Sequence, residues 1–226
     1  MNEVLIEDKI KEYLREGERL DDLQYNGLYI IQHKDKYAFT SDAVILANLV
    51  REKGRGVDLC SGCGVIGILV GAKRSADVTM IEVQSDMADM CDRSIKLNGV
   101  NYAHVINAPL QDIHATIGGN YDFVTCNPPY KKRGTNKVLG KHAISKDEVL
   151  VTLDEIAKES SALLKFGGAL YICMKEERLA ETITTLSKYN METKEVYIRQ
   201  TTTQSVVFIR AVKGAGSGMK LKIMEE

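Results

Sequence analysis

No run of apolar residues in this 226-residue chain approaches the roughly 18 that a membrane-spanning helix requires. The opening residues, Met1-Asn-Glu-Val-Leu-Ile-Glu-Asp8, are acidic and lack the basic-then-apolar plan of a signal peptide. A cytosolic protein is therefore expected. A disulfide framework is also missing: the five cysteines are odd in number and scattered, which suits a reducing compartment. Neither charge dominates, since 30 Lys and Arg stand against 31 Asp and Glu. Any nucleic-acid partner must then be met by a local basic patch and not by a basic protein overall. There is no internal repeat and no low-complexity tract. What remains is an ordinary globular composition, 44% hydrophobic and 27% charged, in a chain long enough to bury one core and carry a small appendage.

Three regions separate by pattern. Residues 1–55 form an N-terminal extension: a short helical start, then a hairpin-like stretch from Gly27 to Phe39 that turns at Lys34-Asp35, then a helix through Val44, Leu46, Leu49 and Val50 with Ser41 at its N-cap. From residue 56 to 226 strands and helices alternate. Strands are expected at Val57–Cys60, Val78–Val83, His104–Asn107, Tyr121–Cys126, Ala169–Met174, Thr193–Ile198 and Ser205–Val212. Helices are expected at Val65–Lys73, Asp86–Leu97, Asp147–Lys165 and Glu176–Lys188. Strands separated by helices imply right-handed crossovers, so the fold class is α/β, a doubly wound, seven-stranded, mostly parallel sheet. The short polar joint Gln200–Gln204 makes the last two strands an antiparallel pair. The stretch from Gly214 through Gly218 onward reads as a flexible turn and a short end segment.

The first chemical motif is Asp58-Leu-Cys-Ser-Gly62-Cys-Gly64-Val-Ile-Gly67. Its glycines lie between a strand and a helix, where backbone amides and the helix N-terminus can meet a ligand. A dinucleotide-binding loop competes for the same spacing. Asp58 favours a different occupant, because an acid inside the strand end can hold the loop and face the cationic amino group of a methionine moiety. Glu82 closes the second strand, the place for a carboxylate that grips both ribose hydroxyls; it suits either cofactor. Asp112 follows the third strand and could accept from an adenine amino group, although an N-cap role explains it nearly as well. Cys60-x-x-Cys63 has no second cysteine pair to complete a zinc site, and the four histidines show no ligand spacing, so no metal is expected.

The second motif is Asn127-Pro128-Pro129-Tyr130, directly after the strand Tyr121–Cys126. Strand ends of a doubly wound sheet are where ligands bind, and the two prolines stiffen the turn and hold Asn127 out of helical geometry. An exocyclic amine is a poor nucleophile because its lone pair is delocalised. Two acceptors, the Asn127 side-chain oxygen and the Pro128 carbonyl, can take its two N–H bonds and aim that lone pair. Tyr130 offers a ring for a planar group to stack on. The segment that follows holds Lys131, Lys132, Arg133, Lys137 and Lys141 and no acid, a composition suited to phosphates beside a reacting base.

Together these motifs resemble the Rossmann-like class I methyltransferases that carry Asn-Pro-Pro-Tyr and use S-adenosylmethionine on planar nitrogens. Within that group the whole chain resembles the bacterial tRNA adenine-N6 methyltransferases acting beside the anticodon of a valine tRNA. The likeness includes Glu18–Gln24, Tyr37-x-Phe39-Thr40-x-Asp42-Ala43 and Lys213–Gly218. It implies that Phe39, Thr40 and Asp42 help close the cofactor site, with a hairpin and capped helix as the simpler reading of that stretch. It implies an RNA substrate, a tRNA near its anticodon. Guanine-N2 methylation of ribosomal RNA and methylation of a release-factor glutamine amide use the same pocket chemistry and stay open.

Overall fold

The computed structural model describes residues 12–35, 38–128, 151–200 and 205–224. Two strands, β1 (Glu18–Asp22) and β2 (Tyr29–His33), pair antiparallel as a separate small sheet, followed by α1 (Ser41–Leu49). Then come β3 (Gly54–Leu59), α2 (Val65–Arg74), β4 (Ala76–Glu82), α3 (Ser85–Asn98), β5 (Ala103–Asn107), α4 (Ile113–Ile117) and β6 (Tyr121–Cys126). The second half holds α5 (Leu153–Leu163), β7 (Leu164–Lys175), a 3-10 turn at Glu176–Arg178, α6 (Leu179–Lys188), β8 (Met191–Gln200), β9 (Ser205–Lys213) and β10 (Lys220–Ile223).

β3 to β10 form one sheet in the order β10-β8-β9-β7-β6-β3-β4-β5. It is mostly parallel, and β9 runs antiparallel between β7 and β8. The chain winds outward from β3 to β5, then returns to the other side of β3 as β6. The switch point, where the ends of neighbouring strands splay into a crevice, therefore lies between β3 and β6. Leu59 and Cys126 are register partners there. Two apolar layers cover the sheet. One, with Ile68, Leu69, Met80 and Phe123, also takes in Ile30, Ile31 and Leu46 from the N-terminal elements; the other holds Leu59, Val124, Ile156, Ile172 and Ile209. Full burial of such a side chain contributes about 1.5–3 kcal/mol.

Several elements differ from the sequence-based expectation. The hairpin pairs Glu18–Asp22 with Tyr29–His33 and turns through residues 23–28, whereas Lys34-Asp35 only leaves β2. Alternating patterns on both sides of two turn candidates do not fix register, and docking decides it. Arg93 on α3 grips both Glu18 carboxylate oxygens at 2.7 Å, while Ser94 Oγ accepts from Ile31 N and Asn98 bonds both backbone groups of Tyr29. Thr40, not Ser41, occupies the N-cap of α1. The expected helix from Asp147 begins at Leu153, set by a capping box between Thr152 and Glu155; Asp147 itself lies outside the described residues. It ends at Leu163, and Lys165 belongs to β7, which starts earlier than Ala169. The end segment is not merely a turn: Lys220–Ile223 pairs in parallel with Glu195–Ile198 and makes an eighth strand.

Candidate active site

A cavity of about 260 Å³ opens at the switch point, walled by the ends of β3, β4, β5 and β6 and by the N-terminal elements. The loop after β3 reaches it first. Gly62 lines the cavity with a left-handed backbone (φ 56°), and its N–H donates to Glu82 Oε2 at 2.8 Å. Glu82 Oε1 accepts from Gln84 N at 2.9 Å, so backbone amides hold both oxygens while the carboxyl faces the cavity. Burial pushes the Glu82 carboxyl above its ordinary range, and these amides draw it back only in part.

The other two glycines of the motif serve packing. Neither lines the cavity; a Cβ at Gly67 would run into Met80 Sδ and one at Gly64 into Cys91 Sγ, so both let α2 sit close on the sheet. Asp58 is fully buried in β3 and does not line the cavity. Its Oδ1 accepts from Thr125 Oγ1 on β6 at 2.6 Å, which fastens the two strands that flank the crevice. Burial pushes its carboxyl up to about 7, against the pull of Thr125 and the Gly67 amide, and Oδ2 has no hydrogen-bond partner among the described residues.

Asn127 lines the cavity from the end of β6, in the same lining as Gly62 and Glu82. Pro128 follows it. Pro129 and Tyr130, with Lys131, Lys132, Arg133, Lys137 and Lys141, lie outside the described residues. Phe39 reaches the cavity; Thr40 and Asp42 do not. Thr40 Oγ1 donates to Asp42 at 3.2 Å, and Arg199 pairs with Asp42 at 3.0 Å, so these two residues tie α1 to the end of β8.

Asp112 is the clearest departure from the expected constellation. Its backbone is left-handed (φ 56°), its side chain is 72% exposed, and it pairs with Lys158 at 3.3 Å. It occupies the N-cap of α4 without a capping hydrogen bond from its side chain. Its neighbour Gln111 lines the cavity instead, with Nε2 donating to Glu155 Oε1 at 3.1 Å. Sequence reasoning also missed Gln32, Ser61, Gln84 and Met87 in the lining. Ser61 could have been found, because it stands inside the glycine motif. Gln32 carried no local signal; it arrives from β2 and is only 1% exposed.

Asp112, His114 and Glu159 bring possible ligand atoms within 4.8 Å of one another. Those atoms already have partners: His114 Nδ1 faces Glu159 at 2.8 Å, and the Lys158 ammonium holds Asp112.

The donor set of the cavity fits a nucleoside carrying an amino-acid tail. Glu82 presents a carboxyl for a diol, Ser61 Oγ is buried with no partner among the described residues, and Phe39, Val65, Ile66, Ile81, Met87 and Leu110 supply apolar walls.

A tRNA1(Val) (adenine(37)-N6)-methyltransferase of Shewanella putrefaciens is 23% identical over 161 residues, 69% of this chain and 67% of that protein. A protein of the same name from Shewanella baltica is 25% identical over 152 residues, 65% of this chain and 59% of its own length. The matched stretch thus spans between 59% and 67% of these curated relatives. Among solved structures, a methyltransferase from Pyrococcus furiosus has a TM-score of 0.66 at 18% identity, covering 84% of this chain and 91% of that one. The tRNA (uracil-54, C5)-methyltransferase of Pyrococcus abyssi, solved with S-adenosyl-L-homocysteine, has a TM-score of 0.60 at 16% identity, over 88% of this chain and 45% of that one. At these identities the solved structures speak to the fold, which is that of the Rossmann-like methyltransferases. The sequence profile of the methyltransferase small domain matches residues 34–201, and the chain belongs to that family.

Proposed function

We propose that this protein transfers a methyl group from S-adenosylmethionine to the exocyclic N6 of an adenine in RNA, specifically a tRNA near its anticodon. The observation that carries the reading is Asn127 at the end of β6, in the wall of the same cavity as Gly62 and Glu82. S-adenosylmethionine, when bound, supplies an electrophilic methyl on a sulfonium. Glu82 and Gln111 would hold its nucleoside, with Ser61 and Gly62 along the loop. Residues 1–55 would close the site, with Gln32, Phe39 and Ala43 as their contribution to the wall.

The rest of the chemistry belongs to the protein. The Asn127 side-chain oxygen and the Pro128 carbonyl accept the two amine hydrogens, which pyramidalises the nitrogen and points its lone pair into the cavity. Asparagine suffices, because a strong base is not needed before the new bond forms. The rate gain comes mainly from holding the amine in a near-attack pose. Tyr130 would stack on the base, and the basic residues Lys131, Lys132, Arg133, Lys137 and Lys141 would meet the flanking phosphates. A base stacked in a duplex cannot enter the cavity, so the target base is presented unpaired or flipped out.

The test is incubation with methyl-labelled S-adenosylmethionine and bulk tRNA, followed by nucleoside analysis. N6-methyladenosine is expected. Label in N2-methylguanosine, or in a release-factor glutamine when that protein is offered, would replace the RNA-adenine assignment.

A further inference from the structure

The five cysteines are distributed by the sheet in a way their sequence spacing conceals. Cys63, Cys91 and Cys173 pack in the layer with Ile68 and Phe123. Cys126 belongs to the opposite layer, and Cys60 packs against that same layer. Cys60 and Cys63 both line the cavity but pack with different layers, whereas Cys60 and Cys126 share a layer. They are also neighbours at the ends of two adjacent central strands. Leu59 and Cys126 are register partners on adjacent parallel strands, so Cys60 stands one residue past the position beside Cys126. The left-handed backbone at Cys60 (φ 56°) turns the chain out of the strand at that point.

From this juxtaposition we infer that Cys60 and Cys126 form a reversible oxidation site for hydroperoxides, in which a disulfide between β3 and β6 closes the cavity to its ligands. Cys60 is the thiol that meets the oxidant: it is half-buried and lines the cavity, whereas Cys126 is fully buried. Burial also pushes the Cys126 thiol well up, with Cys60 beside it as a further cause, so Cys60 reacts first and Cys126 gives up its proton only as it attacks the oxidised Cys60.

The steps balance. The Cys60 thiolate attacks hydrogen peroxide, the O–O bond breaks, and Cys60 becomes a sulfenic acid with release of hydroxide, which takes up the proton that Cys60 had lost. Cys126 sulfur then attacks the sulfenic sulfur. The S–S bond forms, the S–O bond breaks, and the departing hydroxide takes the Cys126 proton. Two thiols are oxidised, one peroxide is reduced, and two waters leave. The consequence for the site follows from position. Cys60 is part of the cavity wall, and Cys126 is bonded directly to Asn127, so the new bond pulls on both sides of the crevice.

The test exposes the full-length chain to hydrogen peroxide in native buffer, blocks remaining thiols with iodoacetamide, and maps peptides by mass spectrometry. A Cys60–Cys126 crosslink is expected, lighter by two hydrogens than the two free peptides and removed by dithiothreitol. In Cys126→Ala the crosslink should vanish, and Cys60 should be trapped as a sulfenic acid by dimedone. A Cys60–Cys63 crosslink, irreversible oxidation of Cys60 alone in the wild type, or five unchanged thiols would each overturn the inference. The wild-type map stands even if the alanine variant folds poorly. It does not depend on methyl transfer, so failure of the proposed substrate would leave it intact. Binding of S-adenosyl-L-homocysteine, read by calorimetry, should fall at least tenfold in the crosslinked protein and return after reduction.

Discussion

Glu82 and Gly62 are joined on one side of the crevice: the Gly62 N–H donates to Glu82 Oε2 at 2.8 Å, so the carboxyl at the end of β4 fastens the glycine loop at the end of β3. Removing that carboxyl leaves two half-buried amides, Gly62 and Gln84, without their acceptor, at up to about 1 kcal/mol each. Glu82→Ala should therefore lower the melting temperature and weaken S-adenosyl-L-homocysteine binding by more than about tenfold. Calorimetry showing wild-type affinity would remove Glu82 from the proposed ligand contacts.

Asp58 sets a pH dependence of stability. Its carboxyl titrates near 7 in the folded chain against an ordinary 3.8, so in that window the folded state keeps a proton that the unfolded state has released. Stability from this group is therefore lost as pH rises from about 4 to about 7, by at most about 1.4 kcal/mol per pH unit, and levels off above. Asp58→Asn should lack this contribution. Urea unfolding at a series of pH values would show it as a slope difference between the two proteins, and equal slopes would contradict the assignment.

Asn127 acts on the amine in the proposed reaction, not on the methyl donor. Asn127→Ala should reduce kcat by about 10²–10³-fold while cofactor affinity changes less than about threefold. A variant that loses cofactor binding and turnover together would place Asn127 in the wrong role.

Gln111 and Asp112 can be told apart directly. Gln111 faces the cavity and Asp112 faces solvent beside Lys158. Gln111→Ala should weaken cofactor binding about five- to thirtyfold, and Asp112→Ala less than about twofold, since an exposed ion pair is worth about 0–1 kcal/mol. The reverse ranking by calorimetry would restore the expectation drawn from the sequence.

The basic residues after Tyr130 predict a salt signature. If Lys131, Lys132 and Arg133 each neutralise a phosphate, the log–log slope of tRNA affinity against salt should flatten by roughly 0.7–0.9 per contact in the triple alanine variant. Cofactor affinity should be retained. An unchanged slope in filter binding would remove these residues from the RNA interface.

Much of the frame was legible locally. Strand and helix periods are properties of neighbouring residues, and ligand positions on a doubly wound sheet gather at strand ends. Gly62, Glu82 and Asn127 could therefore be picked out from their place after β3, β4 and β6. Other decisions needed residues far apart in the chain. The hairpin register rests on Arg93 reaching Glu18, and the eighth strand exists because Lys220–Ile223 finds the free edge of β8. Gln32 enters the cavity only because α3 docks β2 there.

At Asp112 the residue type suggested a contact, and the left-handed backbone turned the side chain away, leaving the next-door Gln111 in its place. Asp58 reads in its motif as an acid at the strand end that holds the loop and faces the ligand's amino group, yet the strand buries it against Thr125 and away from the cavity. For the cysteines the effect is largest, because sequence spacing pairs Cys60 with Cys63 and the sheet pairs Cys60 with Cys126. Sequence by itself determined the alternation of elements and which loops carry chemistry, since both depend on local pattern. Only the tertiary structure decided which side chains share a face and a cavity, because that depends on strand order, register and backbone hand, none of which a residue's neighbours specify.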